Sequence, residues 1–165
     1  MDDLNIPARA EAEEKNLPEW DGQNIGDLLG LSRVAEGRFR TRRAETNEHG
    51  RIYGGQILGQ AVFAASQTVP PDRRASSLQL LFAAGGLPER AIDFEVTTLQ
   101  EGKRFSARNV RGAQGQGRIL CDANIAFAKA LDSPAHAALA PAGSGLNIDP
   151  ERCPGLTEAG AEGAR

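Results

Sequence analysis

The stretch Gly54-Gly55-Gln56-Ile57-Leu58-Gly59-Gln60-Ala61 is where residue type and spacing could do chemistry. Paired glycines at the mouth of a helix let the backbone come close to a neighbour. The first N–H groups of a helix have no intrahelical acceptor, so they can hold an anion or a polarised carbonyl. Gln56 adds an amide that can orient water or a carbonyl, although it cannot act as a general base. The plain alternatives are that the glycines serve close packing of helix on sheet and that Gln56 caps or pins the adjoining loop. Nucleotide-binding glycine patterns do not match: the spacing is not G-x-G-x-x-G, and no Gly-Lys-Ser/Thr follows. Ser76 and Ser77 offer hydroxyls, but no His or carboxylate is placed to activate them, so a serine nucleophile is not expected. His49 precedes Gly50 in a loop and reads as solvated or turn-forming rather than as a base. Asp72 and Asp93 read as surface carboxylates. Cys121 reads as a buried thiol, and Cys121 and Cys153 have no metal-like spacing.

The elements that would position these groups follow from periodicity. Residues 1–22 are polar and charged and read as a poorly ordered arm. Residues 25–31 carry Ile25, Leu28, Leu29 and Leu31, enough for one or two helical turns. Residues 34–43 read as a first strand, with a turn at 47–50. Residues 54–68 form the principal helix, ended by Pro70-Pro71. With Ile57, Leu58, Ala61, Val62, Phe63, Ala64 and Ala65 it has little room for a wet face, so burial all round is expected. Strands follow at 76–83, 91–99, 103–111 and 118–129, with turns at 101–102 and 112–117. On the last strand Ile119, Cys121, Ala123, Ile125 and Phe127 read as inward. From Leu131 the chain becomes rich in Ala, Gly and Pro, so 131–165 reads as a linker or tail and 23–130 as the domain. Strand, buried helix and four antiparallel strands make an α+β layout. It is the element order of a single hotdog fold, an antiparallel sheet wrapped around a central helix.

Composition narrows the function. The chain has 165 residues, 40% apolar and 25% charged, ordinary values for one globular domain. Mean hydropathy is −0.40, and no apolar run approaches the length of a membrane span. The acidic start, Met1-Asp2-Asp3-Leu4-Asn5, has no secretory pattern, which points to a cytoplasmic protein. A net charge of −3 argues against a general nucleic-acid binder. No metal and no cofactor are expected.

Three segments resemble one family. Arg51-Ile52-Tyr53-Gly54-Gly55-Gln56-Ile57-Leu58-Gly59-Gln60-Ala61 resembles the helix-opening motif of the type II acyl-CoA thioesterases. Val69-Pro70-Pro71-Asp72-Arg73-Arg74 resembles their helix-to-strand turn. The run from Leu99 through Glu101-Gly102-Lys103-Arg104 to Val110 resembles their central hairpin. The likeness covers roughly residues 30–130, and the family is a tandem of two hotdog repeats, of which this chain resembles the first. It implies hydrolysis of fatty acyl-CoA, with acyl-CoA as substrate or ligand and pairing as a homodimer or with another hotdog repeat. The family's catalytic Asp, Ser or Thr, and Gln lie in the second repeat, so none transfers to a residue here. A non-catalytic subunit that binds acyl-CoA or a partner repeat is the competing reading.

By analogy with the second repeat, Gln56 would face the pocket, and Asn124 would fall near a late-strand polar position; these two are the catalytic candidates. Gly54, Gly55, Gln56, Ser76, Lys103, Arg104 and Arg108 are the substrate-binding candidates. The last three belong to a basic set with Arg73, Arg74 and Arg111 that could attract the phosphates of CoA, the alternative being solvated strand-face charges. Ser76 stands where the family carries a His, and Ala84-Gly85 stands in place of its Arg-Pro pair.

Overall fold

The computed structural model describes residues 17–130; the expected tail at 131–165 and the first sixteen residues of the expected arm lie outside the described residues. The elements run α1 (Ile25–Leu29), β1 (Leu31–Ala35), β2 (Arg38–Thr41), α2 (Gly54–Ser66), β3 (Arg73–Phe82), β4 (Asp93–Glu101), β5 (Phe105–Gln114) and β6 (Arg118–Lys129). The strands form one sheet in the order β1-β2-β4-β5-β6-β3, with every neighbouring pair antiparallel. This is the single hotdog fold expected from the element order. The core lies between α2 and the sheet. Ile57, Ala61, Ala64 and Ala65 of the helix meet Phe94, Val110, Ala123, Ile125 and Phe127 of the strands, all at 1% exposure or less. Small residues on α2 let it lie close against β5 and leave room for the two phenylalanines.

Several expectations change in detail. The first strand is a hairpin: β1 and β2 are joined through Glu36 and Gly37, and Gly37 has φ +64°, a left-handed turn position that glycine adopts without strain. Leu17, expected within the arm, donates its N–H to Pro88 O, and Glu19 bridges Ala44, so the chain is tied down from there. The turn expected at 112–117 is shorter, because β5 continues to Gln114 with Gly112 buried inside it. A Cβ on Gly112 would sit 2.8 Å from Cys121 Sγ and 3.1 Å from Phe94 Cε1, so close packing excludes any side chain there. Opposite Gly112 the register slips between β5 and β6, where Gly112 faces Cys121 and Ala113 faces Ile119. The slip turns Leu120 inward beside Cys121 and leaves Ile119 41% exposed, contrary to its expected inward place.

The largest correction concerns α2. Its buried residues are Gln56, Ile57, Gln60, Ala61, Ala64 and Ala65, whereas Leu58 and Phe63 are exposed by 37% and 38%. The helix is therefore not covered all round: it turns both amides inward and two large apolar side chains outward. β3, read as a strongly apolar strand, is an edge strand on which Leu81 and Phe82 are exposed.

Candidate functional site

The start of α2 has open donors. Tyr53 takes the capping position with extended backbone and makes no side-chain cap. The N–H groups of Gln56 and Ile57 both reach Tyr53 O, at 3.0 and 3.3 Å. Among the described residues this leaves the Gly54 and Gly55 N–H groups without protein acceptors. A helix start with free amides carries partial positive charge and suits an oxyanion. No acidic residue stands in its first turn. Phe82, at the end of β3, borders the site: a Cβ on Gly54 would lie 3.5 Å from its Cζ.

Gln56 sits at this start but its amide is engaged. Oε1 accepts from Glu45 N–H at 2.8 Å, and Nε2 donates to Arg43 O at 2.7 Å. The side chain, 2% exposed, pins the segment between β2 and α2. Gln60, one turn on, donates to Leu28 O at 2.8 Å and so ties α1 to the helix. Gly59 permits that contact, since a Cβ there would meet Leu29 Cδ2 at 2.6 Å. Beside the helix start lies an open cleft of about 560 Å³, its lining including Trp20, Ile25, Leu29, Tyr53, Glu45 and Glu48. Sequence reading missed it because Trp20 falls in the stretch read as an arm; a single tryptophan in a polar segment was the available signal.

The other end of the helix is built differently. Arg108 is buried, its side chain 3% exposed. Its guanidinium donates to Glu101 Oε2 at 2.5 Å, to Thr68 O and Oγ1, and to the carbonyls of Gln100 and Ala107. Arg73, with a side chain 8% exposed, reaches Glu101 Oε1 at 3.1 Å, Ser106 Oγ and Gly102 O. The Arg108 guanidinium, with the Ser106 hydroxyl second, holds the Glu101 carboxyl below the usual carboxylate range. Arg108 is thus a structural anchor rather than a free phosphate binder, because its five donors already have acceptors. Lys103 and Arg104, in the β4–β5 turn, are exposed.

The expected substrate-binding residues therefore fall into two groups. Gly54, Gly55 and Gln56 stand at the start of α2, while Lys103, Arg104 and Arg108 stand near its end. The helix has 13 residues, so at 1.5 Å per residue the ends are about 20 Å apart. Ser76 belongs to neither. It is the extra residue of a bulge between Ala75 and Ser77, exposed on the edge strand, with its Oγ directed at Ala126 O at 3.3 Å. Asn124 is exposed on β6 and accepts from Asn109 Nδ2 at 3.2 Å, as a strand residue satisfied by its neighbour.

The remaining candidates are ordinary. His49 is exposed beside Glu48. Asp72 pairs with Lys129 at 2.9 Å, and Asp93 with Arg40 at 2.7 Å, the latter half-buried rather than fully at the surface. Burial pushes the Cys121 thiol up to about 11, so it stays protonated and unreactive. Among the described residues no group of three or more His, Cys, Asp or Glu side chains could hold a metal, and no helix is long and apolar enough to cross a membrane.

Comparison with known proteins decides the family. Residues 42–128 match the acyl-CoA thioesterase N-terminal domain. The chain belongs to that family. It is 32% identical to human acyl-coenzyme A thioesterase 8 over 130 residues, which is 69% of this chain and 40% of that protein. Among solved structures it resembles a tesB protein of Mycobacterium avium subsp. paratuberculosis, with 35% identity and a TM-score of 0.62 over 71% of this chain and 47% of that one. The PaaI protein of Escherichia coli, 16% identical with a TM-score of 0.56 over 64% of this chain and 83% of that one, shares the fold. The chain thus spans less than half the length of its thioesterase relatives and matches their N-terminal domain.

Proposed function

We propose that the chain is one hotdog repeat of an acyl-CoA thioesterase, hydrolysing fatty acyl-CoA to free acid and CoA, and that it works paired with a second repeat. Water adds to the thioester carbonyl, the oxygen becomes an oxyanion, and the carbon–sulfur bond then breaks to release CoA as a thiol. The observation that carries the reading is the uncapped start of α2, inside the family match, with the Gly54 and Gly55 N–H groups open for that oxyanion.

Pairing is supported by what one repeat leaves uncovered. Leu58 and Phe63 on α2, and Leu81 and Phe82 on the free edge of β3, expose apolar side chains that a second repeat would bury. A second copy of this chain or a different hotdog repeat would serve. A cytoplasmic setting accords with Cys121 being a buried free thiol.

A second reading has its own support. The first turn of α2 holds no carboxylate, and the amide of Gln56 is spent on backbone, so no described residue there can activate water. On that reading the chain is a non-catalytic subunit that binds acyl-CoA for a partner. The test is to incubate purified chain with acyl-CoAs of several lengths and follow free thiol. Release above background supports hydrolysis by this repeat alone; binding without release assigns the chemistry to the partner.

A further inference from the structure

Two buried glutamines brace the residues that lead into α2, and only one of them belongs to the helix. Gln56 holds the Glu45 N–H, and Glu45 O accepts from the Tyr53 N–H at 2.9 Å. One residue earlier, the Ile52 N–H donates to Gly86 O at 2.9 Å. Ile52 is 2% exposed, and a Cβ on Gly86 would lie 3.2 Å from Ile52 Cβ, so Ile52 packs directly on the Gly86 backbone. Tyr53 brings no side-chain cap, so these two backbone bonds fix the chain as it enters the helix.

Gly86 is itself held from β5. Gln114, the last residue of that strand, is 3% exposed. Its Oε1 accepts from the Leu87 N–H at 2.9 Å, and its Nε2 donates to Leu87 O at 2.9 Å and to Arg90 O at 2.6 Å. One amide thus closes on both polar groups of Leu87, as a neighbouring strand would, and both of its protons are used. Pro88 O, next along the loop, accepts from the Leu17 N–H at 3.3 Å. Without the Gln114 amide the loop between β3 and β4 would keep its length but lose its anchor, leaving the Leu87 N–H and two carbonyls unpaired.

We infer that Gln114 is a positioning residue for the oxyanion donors of α2, acting through Leu87, Gly86 and Ile52; the chemistry it serves rests on the hydrolase reading. Donors aimed at a developing oxyanion work by being fixed before the reaction, and a displacement of about 1 Å can cost on the order of a hundredfold in rate. Gln56 fixes the approach to the helix on the Glu45 side, and Gln114 fixes it on the Gly86 side. Gln114 touches none of the reacting atoms. Its effect passes through one loop and one backbone hydrogen bond, that of Ile52 to Gly86.

Amide hydrogen exchange and thiol release from acyl-CoA, read side by side on the purified chain, test this. Gln114→Met keeps the side-chain length and loses all three hydrogen bonds. Gln114→Glu keeps the acceptor for the Leu87 N–H and loses the two donated bonds, so it carries the test should the first variant not fold. Either variant is expected to speed exchange of the Ile52 amide by about tenfold more than it speeds that of the β6 amides, which report global opening. The kcat should fall by about tenfold or more with KM unchanged. Arg108→Ala, near the other end of α2, should speed exchange throughout and leave kcat per folded chain unchanged, which separates positioning from lost stability. Ile52 exchange that rises no more than that of β6, or an unchanged kcat in a variant whose Ile52 exchange has risen, would overturn the proposal. If wild type releases no thiol, the hydrolase reading fails by itself, and the exchange result alone decides whether Gln114 fixes the helix start.

Discussion

The two ends of α2 solve opposite problems. At its start the backbone donors of Gly54 and Gly55 are left open, with neither a capping side chain nor a charge in the first turn. At its end the Arg108 guanidinium is saturated by the backbone and hydroxyl of Thr68, two strand carbonyls and Glu101. Gly54 is half-buried and Gly55 exposed, so water can complete these donors in the free chain and a ligand oxygen can take its place. The closed end completes itself and thereby fixes helix to sheet. Charge alone would have pointed to the arginine-rich end for chemistry; accounting for hydrogen bonds points to the uncharged one.

Deleting one donor at the open end should have the largest effect. Gly54→Pro removes a single N–H at a first helical position where proline is tolerated, and Tyr53 already has the extended φ of −58° and ψ of 129° that a following proline requires. The expected result is a fall in kcat of about a hundredfold with an unchanged unfolding midpoint. Unchanged kcat would break the contrast. At the closed end, Arg108→Ala should leave activity to be lost only through stability, with about 3 kcal/mol removed in urea unfolding. Gln56→Leu separates a pin from a ligand contact. It strands the Glu45 N–H and the Arg43 carbonyl, so about 1–2 kcal/mol of stability is expected to go, with KM unchanged for the folded fraction.

The smallest effect is on pH. The folded carboxyl of Glu101 lies below its ordinary value of 4.5, chiefly through Arg108. A depressed carboxylate adds stability that is fully present above the unfolded value and is lost as pH falls through the folded one. Unfolding midpoints should therefore decline on the acid side of that value, and Glu101→Gln should flatten part of the decline. An identical acid limb in wild type and variant would show that Glu101 does not anchor this end.

Much of the architecture was legible in sequence, because long periodic runs declare themselves. The 54–68 pattern marks α2 within two residues at its end, and 118–129 marks β6. What failed depends on partners distant in sequence. The register slip opposite Gly112 turns Leu120 inward and Ile119 outward, which no alternation within β6 alone reveals. Arg108 reads in sequence as a phosphate-binding candidate or a solvated strand-face charge because its acceptors, Thr68 and Glu101, come from other elements; its alternation with Val110 is the visible sign that it faces inward. The outward turn of Leu58 and Phe63 was hidden because an apolar helix reads the same whether its own sheet or a second repeat covers it. Gln56 reads in sequence as a pocket-facing candidate or as a pin of the adjoining loop, and in the structure its amide serves Arg43 and Glu45.

Thiol release per chain, measured as protein concentration rises, tests most directly the claim that an open helix start works only in a paired repeat. The account predicts that wild type gains specific activity as pairs form and then levels off, while Leu58→Glu stays monomeric by light scattering and nearly inactive throughout. Release that is independent of concentration and equal in the two proteins, or no release from wild type even when light scattering shows it paired, would contradict it.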